Sequence, residues 1–365
     1  MKKNLIIIIS IILVVILGIF IYSKVSKTDE GTDKPISLSS TEGITTALTL
    51  EDKIQDDTIW CGTFQLIWNE LKNDLAKQDI VFYDYPELQV VKNLNKETFT
   101  TDDISDQYYY KKIGIPSIDL KEEIEKAIKD KFNETSDILD DFNWEFDNSD
   151  ELEKYFLYAM LKKEFQFEKE FEELDNGTFG KYENVSYFGI EDSEEKEIKN
   201  QVEVLYYNSK DNFAIKLITK QEDEIILCKN PKGNTFNDIF ENIKIAGSNY
   251  SGNRNLEEGE FLKIPNIKLK EKIEFTELEN KSFFFSNGIS YHIDKAIQTI
   301  EFELDRTGGK IKSEAGKMIL EDSIAIMPET KREFSIDDTF AIFLIEEGKD
   351  TPYFAGKISD ITKFQ

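Results

Sequence analysis

Histidine and cysteine, which often supply nucleophiles, general bases and metal ligands, are scarce in this chain. His292 is the single histidine, so a Ser-His-Asp or Cys-His site would have to use it. The sequence contains no strand-turn-helix nucleophile motif. One histidine and two distant cysteines, Cys61 and Cys228, do not make a structural zinc site. We expect His292 to be half-buried and both cysteines to be buried thiols acting as small hydrophobes, although an oxidising compartment would permit a bridge.

Carboxylates are abundant instead: 72 Asp and Glu against 45 Lys and Arg give a net charge of −27. Such a surface repels phosphate backbones and disfavours nucleic-acid binding. The acidic cluster over 140–147 has Phe146 where a calcium loop needs glycine, so we interpret it as a solvated face. Nothing singles out a glycosidase-type pair of carboxylates, and Gly308-Gly309 is an isolated turn pair rather than a phosphate loop. The sequence therefore predicts a protein that is not an enzyme and holds no metal or cofactor.

A long aperiodic segment near the C-terminus is the strongest candidate for a functional element. Over 300–305, apolar residues alternate with acids as in a half-buried strand, and Thr307-Gly308-Gly309 breaks the pattern. Lys310–Glu333 shows no sustained periodicity, and the solid apolar run Ala341–Ile345 then predicts a strand buried on both faces. Tyr353–Ile358 reads as its antiparallel return strand. A loop this long in a compact domain is uncommon and often functional.

The order of these parts resembles the C-terminal end of the serpin family. Ile336–Leu344 is similar to the serpin signature, with Asp338 acidic and Ala341 small where the family has other residues. Tyr353–Ile358 matches the closing strand, and Ile289–Ala296 resembles the segment entering the strand before the reactive loop. Further strands of the family are matched by 155–171, 185–188, 201–207, 213–218 and 262–269. The resemblance implies an α+β fold with large β-sheets, flanking helices and a long exposed loop before the C-terminal strands.

Serpin activity lies in that loop, which implies a function and a hinge for this chain. In the family, a target protease cleaves the loop, which then inserts as a new strand of the central sheet and carries the trapped enzyme with it. The resemblance places the hinge at Asp305, Thr307, Gly308 and Gly309. We therefore expect an inhibitor of a serine or cysteine protease. The alternative is a non-inhibitory cell-surface binding or structural module with a serpin fold, and a hydrolase ranks third.

Two departures from the family bear on insertion. Where inhibitors have small residues, this chain has Lys310, Ile311 and Lys312. Because strand side chains alternate, the charged set at 310, 312 and 314 shares one face, and insertion is sterically allowed if that face meets solvent. The second departure concerns the family's polar cluster of a Ser-Pro pair, an Asn and a His. The matching positions are expected at Cys61-Gly62, Tyr158 and Asp294, so that cluster is lost.

The family's spacing puts the scissile bond near Asp322, Ser323 or Ile324. None of these residues is basic, whereas trypsin-like enzymes need Lys or Arg to meet a buried acid. We therefore expect a protease partner that is not trypsin-like. A protease with an apolar or small primary pocket is predicted to cut after Ser323 or Ile324.

Domain organisation follows from hydropathy. Leu5–Tyr22 approaches the length of a bilayer-spanning helix, so 1–23 is interpreted as a transmembrane signal anchor, or as a signal peptide if it is cleaved. Lys2 and Lys3 favour a cytoplasmic N-terminus. We therefore expect a single-pass cell-membrane protein with its domain on the extracytoplasmic side, or a secreted protein after cleavage. A polar stalk over 24–45 precedes one serpin-like domain over 46–365, expected to be a monomer.

Local patterns add four element predictions. Asp57-Thr58 is expected to cap a helix that carries Trp60 to Leu75 at spacings of three and four. Asp119–Phe132 is expected to be an amphipathic helix, and Ile80–Tyr83 a strand. The spacing of apolar residues over 151–165 continues a helical pattern, whereas the serpin resemblance implies a strand there.

Overall fold

The computed structural model describes residues 40–41, 43–135, 137–142, 144, 153–191, 196–221, 223–309 and 331–365. The predicted anchor and most of the predicted stalk lie outside these residues. So do Lys310, Lys312 and the scissile candidates Asp322, Ser323 and Ile324. Among the described residues, no helix combines the length and the apolar character needed to cross a membrane.

Strands dominate the described part of the chain. In chain order they are β1 (Ser40–Thr41), β2 (Ile44–Ala47), β3 (Thr58–Cys61), β4 (Tyr109–Gly114), β5 (Glu153–Lys162), β6 (Phe165–Gln166), β7 (Glu172–Phe179), β8 (Tyr182–Ile190), β9 (Val202–Ser209), β10 (Asn212–Ile218), β11 (Glu224–Lys229), β12 (Phe261–Pro265), β13 (Ile267–Glu274), β14 (Ser282–Phe284), β15 (Ser290–Leu304), β16 (Gly308–Gly309), β17 (Glu333–Ser335), β18 (Phe340–Ile345) and β19 (Phe354–Ile358). β1 and β2 lie at the end of the stretch predicted as stalk, so the folded domain begins before residue 46.

The helices are α1 (Thr63–Glu70), α2 (Gln89–Leu94), α3 (Ile118–Phe132), α4 (Lys196–Lys199) and α5 (Phe236–Asn249). A π-helical turn, Leu71–Ala76, continues α1, and short 3-10 helices occupy Asp106–Tyr108, Asp137–Asp141 and Ile361–Phe364. The predicted helix over 119–132 is confirmed as α3. The Ser117 side chain accepts a hydrogen bond from the Leu120 N–H at its start. Asn133, in the left-handed region at φ 54°, ends it.

Two local predictions are wrong. Asp57-Thr58 does not cap a helix, because β3 occupies 58–61 and α1 begins at Thr63. All four β3 residues are buried, and their β-branched and aromatic side chains suit a strand between two neighbours. The predicted strand at Ile80–Tyr83 is reduced to a single bridge between Phe82 and Tyr85.

An eight-stranded sheet contains the C-terminal strands in the order β1-β2-β3-β19-β18-β11-β10-β9. β18 lies between β19 and β11, and all six of its residues are buried. The apolar run over 341–345 is therefore confirmed as a strand buried on both faces. β19 is its antiparallel return strand, as predicted.

The predicted strand over 262–269 is two strands that belong to different sheets. β12 joins a four-stranded sheet in the order β17-β12-β8-β7, and β13 is an edge of the sheet that contains β15. Asn266 separates them, and its N–H donates to Ser186 O at 3.0 Å. The change of sheet at this residue could not be read from a continuous alternating pattern.

The sheet that matters for the loop has the order β13-β15-β5-β4, with β14 also paired to β15. β15 and β5 are parallel, in register from Tyr291 opposite Glu153 to Glu301 opposite Lys162. β13 pairs with β15, and β4 with β5, in the antiparallel sense. The helical spacing over 151–165 was thus misleading, because a strand buried on both faces lacks a clean alternation.

Helix α3 covers one face of the β5–β15 pair. Its inward residues Leu120, Ile124 and Ile128 belong to one buried cluster with side chains of both strands and of the segment that follows the helix; these are Phe156, Tyr158, Met160, Ile297, Ile138, Leu139 and Trp144. Gln298 follows Ile297 and so points to the opposite face. On that face Phe302 stacks on Phe354 of β19, with ring centroids 5.2 Å apart.

Candidate functional site

The chain reverses immediately after β15, at the predicted hinge. Asp305 N donates to Gly308 O at 2.9 Å, and Gly308 N donates to Asp305 O at 3.1 Å. The Asp305 side chain also accepts from Thr307 N at 2.7 Å and from Thr307 Oγ1 at 2.6 Å. Asp305, Thr307 and Gly308 are therefore held together in one tight turn, and Gly309 continues from it as β16.

The two glycines lie where neighbouring backbone leaves no room for a side chain. Gly308 has φ 128°, and a Cβ there would lie 2.5 Å from Phe165 O. A Cβ on Gly309 would lie 2.2 Å from Glu303 O. The close approach arises because β16 pairs antiparallel with β6, Gly308 opposite Gln166 and Gly309 opposite Phe165. Glycine is needed here for packing at both positions and for backbone conformation at Gly308.

Further contacts fix the turn on the segment that follows β5. Phe167 N donates to Thr307 O at 3.0 Å, and Phe171 N donates to Arg306 O at 2.9 Å. Arg306 also forms an ion pair with Glu170. The start of the loop thus lies beyond the ends of β15 and β5 and is bonded to β6 and to the segment that follows it. A cavity of about 40 Å³ lies beside these strand ends and is lined by residues that include Lys162, Glu301 and Phe302.

A buried amide contact joins β15 to the start of α1. Gln298 Nε2 donates to Cys61 O at 3.2 Å and to Thr63 Oγ1 at 2.8 Å, which ties β15 to the start of α1. The positions predicted to match the family's cluster are not brought together. Tyr158 lies in the cluster under α3, and the register of β15 with β5 shifts between Ile293 and Lys295, at Asp294. Gln298 was missed, although a lone amide among apolar strand residues signals a buried polar contact.

The single histidine and both cysteines are buried. His292 lies on β15, 8% exposed, in register with Ser282 of β14 and Lys154 of β5. Cys61 and Cys228 are both free and buried, so the prediction of two separate buried thiols is confirmed. Burial raises the pKa of each thiol to about 11. They are therefore protonated and poorly nucleophilic at neutral pH.

A buried ion pair lies at the end of β5, and no sequence pattern predicted it. Lys163 Nζ lies 2.8 Å from Asp223 Oδ1, with both side chains 3% exposed, and 3.9 Å from the centroid of the Tyr108 ring. The pKa of Asp223 is raised because burial outweighs the bond from Lys163. The pair fixes the end of β5 to the turn before β11.

Within the described residues, no group of three or more His, Cys, Asp or Glu could hold a metal ion.

The comparisons with known proteins give a likeness at the level of fold. No family model matches the chain, and no curated protein matches it. Among solved structures, it is similar to Serpin48 of the insect Tenebrio molitor at 11% identity and TM-score 0.39, covering 66% of this chain and 65% of that one. It is also similar to Tengpin, a thermophilic serpin in its native state, at 16% identity and TM-score 0.41, covering 77% and 70%.

Human thyroxine-binding globulin, in its complex with the hormone, is matched at 11% identity and TM-score 0.42, covering 68% of this chain and 66% of that chain. The chain thus spans just under two thirds of the length of Serpin48 and of this globulin. At these identities and TM-scores the comparisons carry no argument about activity, which rests on the geometry described above. The likeness to serpins is one of a divergent fold.

Proposed function

We propose that the loop after Gly309 is a protease substrate whose cut end inserts as a strand between β5 and β15, and that the protein thereby inhibits a protease that is not trypsin-like. One observation carries this proposal: the turn at Asp305–Gly308 and the pairing of β16 with β6 direct the start of the loop back toward the ends of the adjacent parallel strands β15 and β5. A chain leaving that turn runs antiparallel to both strands. Insertion would replace one parallel ladder by two antiparallel ones, which pair slightly more stably.

The strand registers at the turn predict which residues Lys310 and Lys312, the lysines that depart from the serpin pattern, would face after insertion. Continuing the pairing of Asp305 with Gly308 sets Lys310 opposite Glu303 and Lys312 opposite Glu301. Continuing the pairing of β16 with β6 sets Lys310 opposite Glu164 on the other side. Both glutamates of β15 are half-exposed. Opposite charges at directly paired positions stabilise a sheet, so Lys310, with a glutamate on each side, favours insertion in this register. Lys312 lies opposite Glu301 on one side and opposite Lys162 on the other, so its two charge contacts oppose each other.

The same registers limit how far the loop inserts. Glu314 would lie between Thr299 and Met160, which are both buried, and Lys317 would lie between Ala296 and Leu157, which are both fully buried. An unpaired charge at Glu314 would cost several kcal/mol, so we propose that stable insertion ends at Ser313. This limit supports the second candidate function, a non-inhibitory binding module.

The test is a thermal melt before and after a single cut in the loop. The full chain is incubated with proteases of apolar or small primary specificity, and mass spectrometry locates the cut, expected at Ser323 or Ile324. We expect cutting to raise the melting temperature as the strand inserts, and a denaturant-resistant covalent complex to appear on a gel if the enzyme is trapped. An unchanged melting temperature after the cut rules out insertion.

A matched pair of variants tests the register. Ser313→Lys puts a charge between Ile300 and Leu161, which are buried, and should abolish the gain in melting temperature. Lys312→Ser changes the neighbouring, outward position and should keep the gain. Equal behaviour of the two variants would contradict the proposed register.

The second candidate is a non-inhibitory binding module, and an exposed apolar patch favours it. Tyr83 and Phe284 are 71% and 44% exposed, with ring centroids 6.2 Å apart. Tyr85, which the Lys281 ammonium approaches, and Ile289 on the adjoining hairpin are also exposed. Exposed aromatic clusters of this kind are typical of protein-binding surfaces.

For either function we also propose that the domain acts while tethered to a membrane, as the apolar stretch Leu5–Tyr22 suggests.

A further inference from the structure

The exposed apolar patch lies on two segments that carry apolar side chains on both of their sides. Ile80 and Phe82 are fully buried. Val81 and Tyr83, which alternate with them, are 49% and 71% exposed. In β14, likewise, one phenylalanine is fully buried and the next, Phe284, is 44% exposed. The buried side chains supply the packing that the fold needs, so the exposed ones leave contiguous apolar surface for a partner.

Hydrogen bonds hold the two segments of the patch together. Tyr83 N donates to Ser282 O of β14 at 2.8 Å, and Gln78 Nε2 donates to Phe284 O at 2.7 Å. The rings of Tyr83 and Phe284 meet edge to face, with an angle of 78° between their planes. The surface is therefore formed before a partner arrives, which lowers the entropic cost of binding.

The charges at the patch favour a cation. Lys281 Nζ lies 5.5 Å from the centroid of the Tyr85 ring, within the range of cation–π attraction. Asp84, which directly follows Tyr83, is exposed and forms no ion pair within the described part of the chain. Aromatic rings beside a carboxylate suit Lys and Arg side chains, because these combine a cationic head with an apolar stem.

The charge of the whole chain also distinguishes between kinds of partner. At −27 the chain repels nucleic acids and anionic lipids, and a second copy of the chain would bring the same negative charge. A basic protein would be attracted from a distance, which raises its rate of association. A basic segment therefore fits both the local charge at Asp84 and the overall charge.

We propose that the apolar patch binds a basic segment of another protein, whose Lys or Arg side chains stack on Tyr83 and Phe284 while its apolar side chains cover Val81 and Ile289. The inference rests on the second candidate function, the non-inhibitory binding module, and gives that module the chemical class of its partner. Asp84 attracts the cations of the segment and disfavours an acidic partner.

The experiment uses the purified full chain to select binders from a library of random peptides displayed on phage. The enriched peptides are then titrated against the wild type and its variants. Tyr83→Ser combined with Phe284→Ser removes both rings, and Asp84→Lys reverses the local charge; all three side chains are exposed, which protects folding. Ile245→Ser is the matched control, because Ile245 is 58% exposed but lies on α5.

We expect the enriched peptides to combine Lys or Arg with apolar residues. They should bind the double variant about tenfold more weakly than the wild type, because two cation–π contacts are lost. Binding to Asp84→Lys should also weaken, whereas binding to Ile245→Ser should not change. Added salt should weaken binding to the wild type, since salt screens the attraction between the charges.

The other outcomes separate the inference from the function on which it rests. Peptides that need the two rings but are neutral or acidic would overturn the basic partner and leave the binding module standing. Peptides that bind the double variant as tightly as the wild type, or no enrichment at all, would overturn binding at the patch itself. Self-association of the full chain that the double variant abolishes would show that a second copy is the occupant instead. The melt after a loop cut tests the inhibitory function independently.

Discussion

Gly308 and Gly309 carry the sharpest constraint at the scale of single residues. Their backbone touches Phe165 and Glu303 more closely than any side chain allows. Contact of this kind fixes the direction in which the chain leaves β15. The turn therefore depends on the absence of two Cβ atoms as much as on the Asp305 side chain that caps it.

We expect Gly308→Ala to destabilise the domain by about 1–3 kcal/mol, because a methyl group would meet Phe165 O at a strained φ of 128°. Urea unfolding of the purified chain measures the change. Gly348→Ala is the control: Gly348 has φ 71° but nothing within 4 Å, so it isolates backbone strain of roughly 1 kcal/mol. Equal losses for the two variants would show that close packing at the hinge does not matter.

Among the elements, α3 matters most for the proposed insertion, because it covers the strand pair that would part. Ile124 and Ile128 are fully buried against β5 and β15, whereas Ile118 on the first turn is 52% exposed. The Gln298 contacts hold β15 from the other face of the sheet, and the Lys163–Asp223 pair holds the end of β5. Helix α3, the Lys163–Asp223 ion pair and the Gln298 amide thus all stabilise the positions of β5 and β15.

Ile124→Ala should lower the free energy of unfolding by about 2–5 kcal/mol, because it leaves a cavity between α3 and the sheet. Ile118→Ala on the same helix should change it by less than about 0.5 kcal/mol, since that side chain is largely in water already. Chemical denaturation of both variants decides the point. A loss at Ile118 as large as at Ile124 would mean that α3 does not pack as described.

At the scale of the whole molecule, the net charge of −27 and the apolar N-terminal stretch underlie the proposed location and the expected partners. The charge opposes binding to nucleic acids and to anionic surfaces. The stretch Leu5–Tyr22 is long enough to cross a bilayer, so the proposed membrane tether would restrict the proposed protease partners to one side of the membrane.

We expect the mature protein to remain in the membrane fraction with residues 1–23 attached, because no small-residue cleavage site follows Phe20. N-terminal sequencing of the protein isolated from its producing cells measures this. Alkaline carbonate extraction, which releases peripheral proteins, is the control. A mature chain that begins near Lys24 would show instead that the leader is a cleaved signal peptide.

The sequence by itself predicted the strands whose pattern is local. The alternation over 300–305 and the apolar run over 341–345 both became strands, and α3 followed from its periodicity. Prediction from the sequence failed where the pattern of apolar residues fits both a helix and a strand. A strand buried on both faces, such as β3 or β5, has no polar face to mark its period, so a helical spacing fitted each by chance.

Tertiary structure alone decided which strands are neighbours, and therefore what the hinge can do. The parallel pairing of β5 with β15 joins segments more than a hundred residues apart. Nothing local in either segment specifies that partner. The same holds for Lys163 with Asp223, Gln298 with Cys61 and Arg332 with Glu260. A buried polar group needs a partner that folding supplies, and the sequence shows the need without showing the partner.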